Sequence, residues 1–363
     1  MTKLALGLMS GTSADGLTVC AVSLHPFKIH YFKNYPYTPS FQKKLLEAYN
    51  LKAPQLSALH YEIGQVYTKI VQRFLKDFHL KPTDIFVIGS HGQTIYHGPK
   101  DKIPNTLQIG EPSFMAATFR CPVVSDFRAM DMALGGEGAP LMPFFDEYIW
   151  GRQKTPVILL NIGGISNFSV VGKGIKTFGF DVGPGNTLID LICQTRFHQP
   201  FDKNGTAAAK GRPDKQRVAA LLKQPYFRQK PPKSLDKNTY GISYVKRYFP
   251  TEKFKNNYDL IATATWFTAA CIADAIVRFV PKKAQHKLVV SGGGCYNKTL
   301  LNNLRQLLPH LVITTSQAEG IDPQAKESAA FALFGSLALQ QEINHCAYAT
   351  GARKNAILGK VCR

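Results

Sequence analysis

Leu4-Ala5-Leu6-Gly7-Leu8-Met9 runs into Ser10-Gly11-Thr12-Ser13-Ala14-Asp15-Gly16 and then into an apolar run over residues 17–24. Gly and Asp supply the positive φ that tight turns need, so the stretch reads as strand, turn, strand. A related pattern opens again mid-chain. Val157–Ile162, Gly163-Gly164, Ile165–Val171, Gly172-Lys173-Gly174 and residues 177–180 lead into Asp181-Val182-Gly183-Pro184-Gly185-Asn186. Two hairpin-led starts predict a duplicated α/β architecture. Apolar residues at helical spacing over 41–50 and 56–79 predict helices, and 85–88 a buried strand ending in Gly89-Ser90-His91-Gly92-Gln93-Thr94. In the second half, helices over 187–195, 260–280 and 298–308 alternate with a strand over 287–290. Thr155-Pro156 marks the boundary, giving lobes 1–154 and 155–363, with the C-terminal helix able to pack back on the first.

The chain has 363 residues, 45% apolar and 19% charged, enough to bury a core and without the signature of disorder. Lys and Arg number 44 against 24 Asp and Glu, a formal +20, which points to anionic partners without naming them. The 7 cysteines, at 20, 121, 193, 271, 295, 346 and 362, stand singly, with no Cys-x-x-Cys pair and no His cluster at zinc spacing. Such a set fits a reducing compartment. Leu4–Met9 is too short for a signal peptide, and the apolar segment 260–280 is interrupted by Asp274 and Arg278, so it reads as a buried helix. The expectation is a soluble, cytoplasmic protein with no membrane partner.

Four glycine-rich turns follow apolar strands: Gly11-Thr12-Ser13, with Asp15 and Gly16 just beyond; Gly163-Gly164; Gly183-Pro184-Gly185-Asn186; and Gly292-Gly293-Gly294. Such turns bring backbone close to a ligand and aim N–H groups at phosphate oxygens; each can also be an ordinary turn. No G-x-G-x-x-G follows a strand, and residues 292–299 miss a phosphate-binding loop because Asn297 stands at its second Gly. That loop can still lie against a sugar or phosphate. Asp181, at a strand end before a glycine turn, can act as a general base, hold magnesium, or cap the turn. Asp126 and Arg128 can pair or bind a polar substrate. His91 and His97 flank Gln93-Thr94, a hydrogen-bonding shelf for a sugar. Glu327 opens an Ala/Phe-rich helix, where the macrodipole favours a carboxylate.

These motifs, with Ser125-Asp126-Phe127-Arg128, Gly135-Gly136-Glu137-Gly138-Ala139-Pro140-Leu141, Asn161-Ile162-Gly163-Gly164-Ile165-Ser166-Asn167 and Thr350-Gly351-Ala352, resemble the anhydro-N-acetylmuramic acid kinase family, in order and over essentially the whole chain. The resemblance implies the actin-like ATPase fold of sugar kinases and heat-shock chaperone ATPases, two α/β lobes around a central cleft. It implies an enzyme that uses ATP and Mg²⁺ to open the 1,6-anhydro ring of anhydro-N-acetylmuramic acid and phosphorylate O6, giving N-acetylmuramic acid 6-phosphate in cell-wall recycling. Carried over residue by residue, Asp181 is the base. Arg128, Asp126, His91, Gln93 and Glu327 meet the sugar. The Gly11–Gly16 hairpin, Gly163, Gly164 and the Gly183–Asn186 turn hold the phosphates, and Gly292–Gly294 and Asn297 lie against adenosine. No metal ligand is assigned. The family also implies a homodimer.

The chain departs from the family pattern at three places. Thr18 stands where the first motif usually ends in Asp, Asp146 where His is common, and Leu235-Asp236-Lys237-Asn238 follow Pro231-Pro232-Lys233-Ser234 where Thr-Gly-Arg-Glu is usual. Thr18 and this loop keep open a non-catalytic nucleotide-binding relative. A single-stranded nucleic-acid-binding protein is the other alternative: residues 210–255 hold 13 Lys and Arg against 3 Asp and Glu, among Tyr226, Phe227, Tyr240, Tyr244, Tyr248, Phe249 and Phe254. No RNA-recognition or zinc-finger signature accompanies them.

Overall fold

In the computed structural model, residues 3–153, 155–175, 177–231, 233, 235 and 239–363 are described. Asp236, Lys237 and Asn238 of the divergent loop therefore lie outside the described residues. The chain forms two compact units, Met1–Phe145 with Gly320–Arg363, and Asp146–Glu319.

In the first unit, β1 (Leu4–Met9), β2 (Gly16–Leu24) and β3 (Phe27–Pro36) form an antiparallel meander. β4 (Ile85–Ser90) runs parallel to β1, a small hairpin of β5 (Gln93–Gly98) and β6 (Asn105–Ile109) follows, and β7 (Val123–Ser125) runs parallel to β4. In the second unit β8 (Val157–Ile162), β9 (Ile165–Val171) and β10 (Phe178–Pro184) repeat the meander. β11 (Lys287–Ser291) lies parallel to β8, and β12 (Val312–Thr315) parallel to β11. The spatial orders are β3-β2-β1-β4-β7 and β10-β9-β8-β11-β12, the same plan twice. The last strand, β13 (Lys360–Cys362), extends the first sheet beyond β7.

Burial follows sheet position. β1 is central and almost wholly buried, whereas β3 is an edge strand with most side chains in water. The helix Lys326–Leu339 lies on β1, β2 and β4 with nearly every side chain buried. Its close approach needs bare backbone beneath it: a Cβ on Gly7 would lie 1.8 Å from the Ser328 carbonyl oxygen, and one on Gly89 1.9 Å from that of Phe331. The sequence reading ended the first lobe at residue 154 and let the C-terminal helix pack back. Here the change of unit falls between Phe145 and Asp146, and β13 goes with the helix into the first unit.

The helix Asn257–Phe279 is long and apolar enough to cross a membrane, but 89% of its most apolar window is buried in the protein. Its start is capped by Asn256, whose Oδ1 accepts the Asp259 N–H at 2.9 Å. Against it pack Phe227, Tyr240 and Phe249, all buried, with Tyr226, Tyr244, Tyr248 and Phe254 around them. The aromatic residues of 210–255 thus build a core. That corrects their reading as a nucleic-acid groove, because stacking platforms need exposed ring faces. Even at the rim, protein cations sit on rings: Lys215 Nζ lies 4.2 Å from the Trp266 centroid and the Arg217 guanidinium 4.9 Å from that of Phe254.

Candidate active site

In the second unit, three of the four glycine turns meet. The Gly185 and Asn186 amides donate to the carbonyls of Gly164 and Gly163 at 2.9 and 2.7 Å, and Thr187 N–H donates to Gly164 at 3.2 Å. A Cβ on Gly185 would lie 2.2 Å from the Gly163 oxygen, so the two backbones touch only because the residue is glycine. The Asn186 side-chain amide donates to the Ile162 carbonyl at 3.1 Å and borders the third turn, within 3.4 Å of where a Gly293 Cβ would stand. The amides at the start of the helix Asn186–Phe197 are thus engaged by protein carbonyls, and they lock the Gly163-Gly164 turn in place. Gly183 packs tightly too, since a Cβ there would lie 2.9 Å from that of Cys271.

Asn297, at the position that spoils the phosphate-loop motif, has a structural task. Its Oδ1 accepts the Leu300 N–H at 3.0 Å, capping the helix Lys298–Leu307, and closes against Gly205, where a Cβ would be 2.1 Å away.

Asp181 lies on β10 opposite Asn167, and the ladder slips between Asp181 and Gly183. Its N–H donates to the Lys233 carbonyl at 3.3 Å, its carbonyl accepts the Tyr226 hydroxyl at 2.6 Å, and its Oδ2 accepts the Leu235 N–H at 2.9 Å. No described residue pairs with the other carboxylate oxygen. Burial raises the carboxyl above the usual carboxylate range, and the Leu235 N–H pulls it back. A partly desolvated carboxylate fixed through one oxygen is suited to taking a proton.

In the first unit the Ser10–Asp15 turn closes with the Ala14 N–H donating to the Gly11 carbonyl at 3.1 Å. Thr12, Ser13 and Asp15 are exposed on it, and the Ser13 hydroxyl donates to Asp15 at 3.1 Å. Gly16 begins β2, tight against the Tyr35 carbonyl. Gln93 braces this turn from below, its Oε1 accepting the Ser10 hydroxyl at 2.6 Å and its Nε2 donating to the Gly11 carbonyl at 3.1 Å. Thr18 is tied sideways to β3, donating to Asn34 at 3.2 Å.

Arg128 donates through Nε and Nη2 to His91 Nε2 at 3.2 and 2.9 Å, and through Nη1 to the Gly138 carbonyl at 2.6 Å. Accepting at Nε2, His91 must carry its proton on Nδ1, which donates to the Gly92 carbonyl at 3.0 Å. Burial first, and the Arg128 charge second, lower His91 to about 3, so it is a neutral acceptor. Glu327 faces Arg128 electrostatically. Its side chain reaches water, yet the dense protein around it raises its carboxyl, with Lys326 and Arg128 acting in the opposite sense. Asp126 does not join this group: it sits at φ +55 and pairs with Lys360 of β13. His97, on β5, pairs with Thr106 at 3.1 Å and borders this group: a Cβ on Gly138 would lie 3.4 Å from its ring, and burial first and the Arg128 charge second lower its proton affinity.

Sequence reasoning missed Asp131. It is fully buried and accepts the Gly138 N–H at 2.6 Å, the His345 Nε2 at 2.6 Å and the Thr350 hydroxyl. A Cβ on Gly136 would lie 2.4 Å from it, which explains the glycine-rich loop above. A continuous path therefore runs from Thr350 and His345 through Asp131 and Gly138 to Arg128. The Thr350-Gly351-Ala352 motif was the available signal.

The sheets of the two units share the same five-strand order, with a glycine turn at the end of the first strand of each. That is the repeated plan of the actin-like ATPase fold. The profile of the Anhydro-N-acetylmuramic acid kinase family matches residues 3–363, and the chain belongs to that family. It is 35% identical over 382 residues to the Anhydro-N-acetylmuramic acid kinase of Caldanaerobacter subterraneus subsp. tengcongensis, covering 99% of this chain and 96% of that one. It is 37% identical over 361 residues to the Coxiella burnetii kinase of that name, covering 98% and 96%, and 34% identical over 376 residues to that of Clostridioides difficile, covering 98% and 97%. Among solved structures, component A of the Acidaminococcus fermentans (R)-2-hydroxyglutaryl-CoA dehydratase aligns with TM-score 0.47 at 13% identity, over 92% of this chain and 97% of that one.

Proposed function

We infer that the protein is an ATP-dependent kinase that opens the 1,6-anhydro ring of anhydro-N-acetylmuramic acid with water and phosphorylates the released O6. Family membership along the whole chain supports the reaction. The observation that carries the mechanism is Asp181, fixed by backbone on one oxygen and, among the described residues, without a partner on the other. An anhydro sugar has no free O6 hydroxyl, so the base acts on water. Asp181 takes a proton as the water oxygen bonds to C1; the C1–O6 bond breaks with its electron pair on O6; and O6 attacks the γ-phosphorus, releasing ADP. The products are N-acetylmuramic acid 6-phosphate and ADP, with the proton left on Asp181. This places the protein in cell-wall recycling.

In the first unit Arg128, held by His91 and Gly138, presents its remaining N–H groups to the lactyl carboxylate, and Glu327 meets a sugar hydroxyl. Asp126 stands at the margin of this group. The Ser10–Asp15 turn, braced by Gln93, and the Gly163-Gly164 turn, locked by Gly185 and Asn186, hold the phosphates. Gly292–Gly294 lie against adenosine, with Asn297 shaping their exit. No group of three or more His, Cys, Asp or Glu at metal spacing occurs among the described residues. Mg²⁺ binds through phosphates, waters and one or two carboxylates, and Asp15 on the exposed first turn is the carboxylate to reach it. Bound there, Mg²⁺ would neutralise phosphate charge. Cytoplasmic location and a homodimer complete the reading, both on the family likeness.

The test is incubation with Mg-ATP and the anhydro sugar in ¹⁸O-labelled water, read by mass spectrometry. Label at C1 together with phosphate at O6 is expected. Asp181→Asn should lower turnover by about 10²–10⁴-fold with ATP binding retained; near-normal turnover would remove Asp181 as the base.

A further inference from the structure

The Pro231-Pro232-Lys233-Ser234 motif has so far had no task, yet Lys233 is only 8% exposed. Its ammonium lies 4.6 Å from the Tyr226 ring centroid, 5.1 Å from that of Phe279 and 5.4 Å from that of Phe180. It donates to the Tyr226 carbonyl at 3.1 Å. No carboxylate of the described residues forms an ion pair with it. A buried lysine without a counter-ion is costly unless ring faces and carbonyls replace its hydration, as they do here. Burial accordingly lowers its affinity for a proton. The backbone at this residue and just beyond it serves Asp181. The Lys233 carbonyl accepts the Asp181 N–H, and two residues on, Leu235 N–H donates to the Asp181 carboxylate. Tyr226, one wall of the cage, also donates to the Asp181 carbonyl.

We propose that Lys233 is a positioning residue for the catalytic base: caged by Tyr226, Phe180 and Phe279, it pins the backbone that presents the Leu235 N–H to Asp181. The inference rests on Asp181 being the base. Groups other than Lys233 that act on this region are Tyr226 and Tyr240 around Asp181, and Cys271, Asp274 and Arg278 around the lysine. Asp274 is itself paired with Arg278 at 2.8 Å. With the anchor gone, the carboxylate loses the N–H that favours its charged form while burial remains, so its proton affinity rises.

The experiment compares wild type with Lys233→Met, Lys233→Arg, Phe279→Leu, the exposed control Lys230→Met and the base variant Asp181→Asn. Each is followed by circular dichroism and by kcat, both KM values and kcat/KM against pH. Lys233→Met is expected to lose about tenfold or more in kcat with the ATP KM little changed. The acid limb of its kcat/KM profile should move to higher pH. Lys233→Arg, which keeps the charge and a donor, should recover most of both. Should Lys233→Met not fold, Phe279→Leu, which opens one wall and leaves the lysine, should show the same shift in smaller measure. A folded Lys233→Met or Phe279→Leu with wild-type kcat and pH profile, beside an inactive Asp181→Asn, overturns the proposal. So does a fall in kcat with an unmoved acid limb and no recovery by Lys233→Arg. An active Asp181→Asn instead removes the base assignment, and this inference with it.

Discussion

Replacing Asp131 by Ala should cost the first unit about 3–5 kcal/mol. Three donors converge on this carboxylate: the Gly138 N–H, the His345 Nε2 and the Thr350 hydroxyl. Asp131 and His345 are 0% and 2% exposed, so water does not replace the lost acceptor. Each stranded buried donor costs about 1–3 kcal/mol. Two of them have somewhere to go: the Thr350 hydroxyl already lies 3.4 Å from the Ala347 carbonyl, and His345 Nε2 lies 3.3 Å from Thr350 Oγ1. The Gly138 amide has no such alternative among the described residues, and because the other two donors do, the total falls below three full penalties. Asp131→Asn keeps one acceptor and should lose about half as much. Urea unfolding followed by circular dichroism measures both. Because the Gly138 carbonyl holds Arg128, the sugar KM should also rise while the ATP KM stays near wild type. A loss in Asp131→Ala below about 1 kcal/mol, or an unchanged sugar KM, would falsify the path from Asp131 to Arg128.

His91 supplies a pH test. The folded protein holds it neutral down to about 3, whereas in the unfolded chain it protonates near the ordinary value of 6.5. Between those values the unfolded state binds the extra proton, so this group's contribution falls as pH drops from 6.5 toward 3, by about 1.4 kcal/mol per unit. His91→Gln, which can still accept from Arg128, should remove that slope; parallel stability–pH curves for variant and wild type would show that His91 is not held neutral. Gly185→Ala places a Cβ 2.2 Å from the Gly163 carbonyl oxygen, a backbone clash that no rotamer relieves. Its ATP affinity should fall about tenfold or more, read by isothermal titration, and wild-type affinity would mean that the contact between the two turns does not shape the nucleotide site.

The duplicated plan was legible because hairpin, glycine turn and helix are local signals; Asp181 and Arg128 stood out only as chemically distinctive residues beside turns. Composition alone did not separate a groove from a core in residues 210–255, since aromatic residues serve both. His91 and Gln93 were visible as polar loop residues, but their tasks were not. One is a neutral acceptor for Arg128 and the other a brace for the Ser10–Asp15 turn, and both tasks depend on partners from other strands and loops.

By itself, then, the sequence determined the repeated α/β architecture and the family, and it singled out Asp181 for the proposed role of base, because strand periodicity, turn chemistry and ordered motifs are written along the chain. Tertiary structure alone decided what holds those residues. Asp131 meets Thr350 across 219 positions of sequence, and Leu235 reaches Asp181 across 54. Burial turns such contacts into fixed orientations and shifted proton affinities, and burial arises only when distant segments pack together.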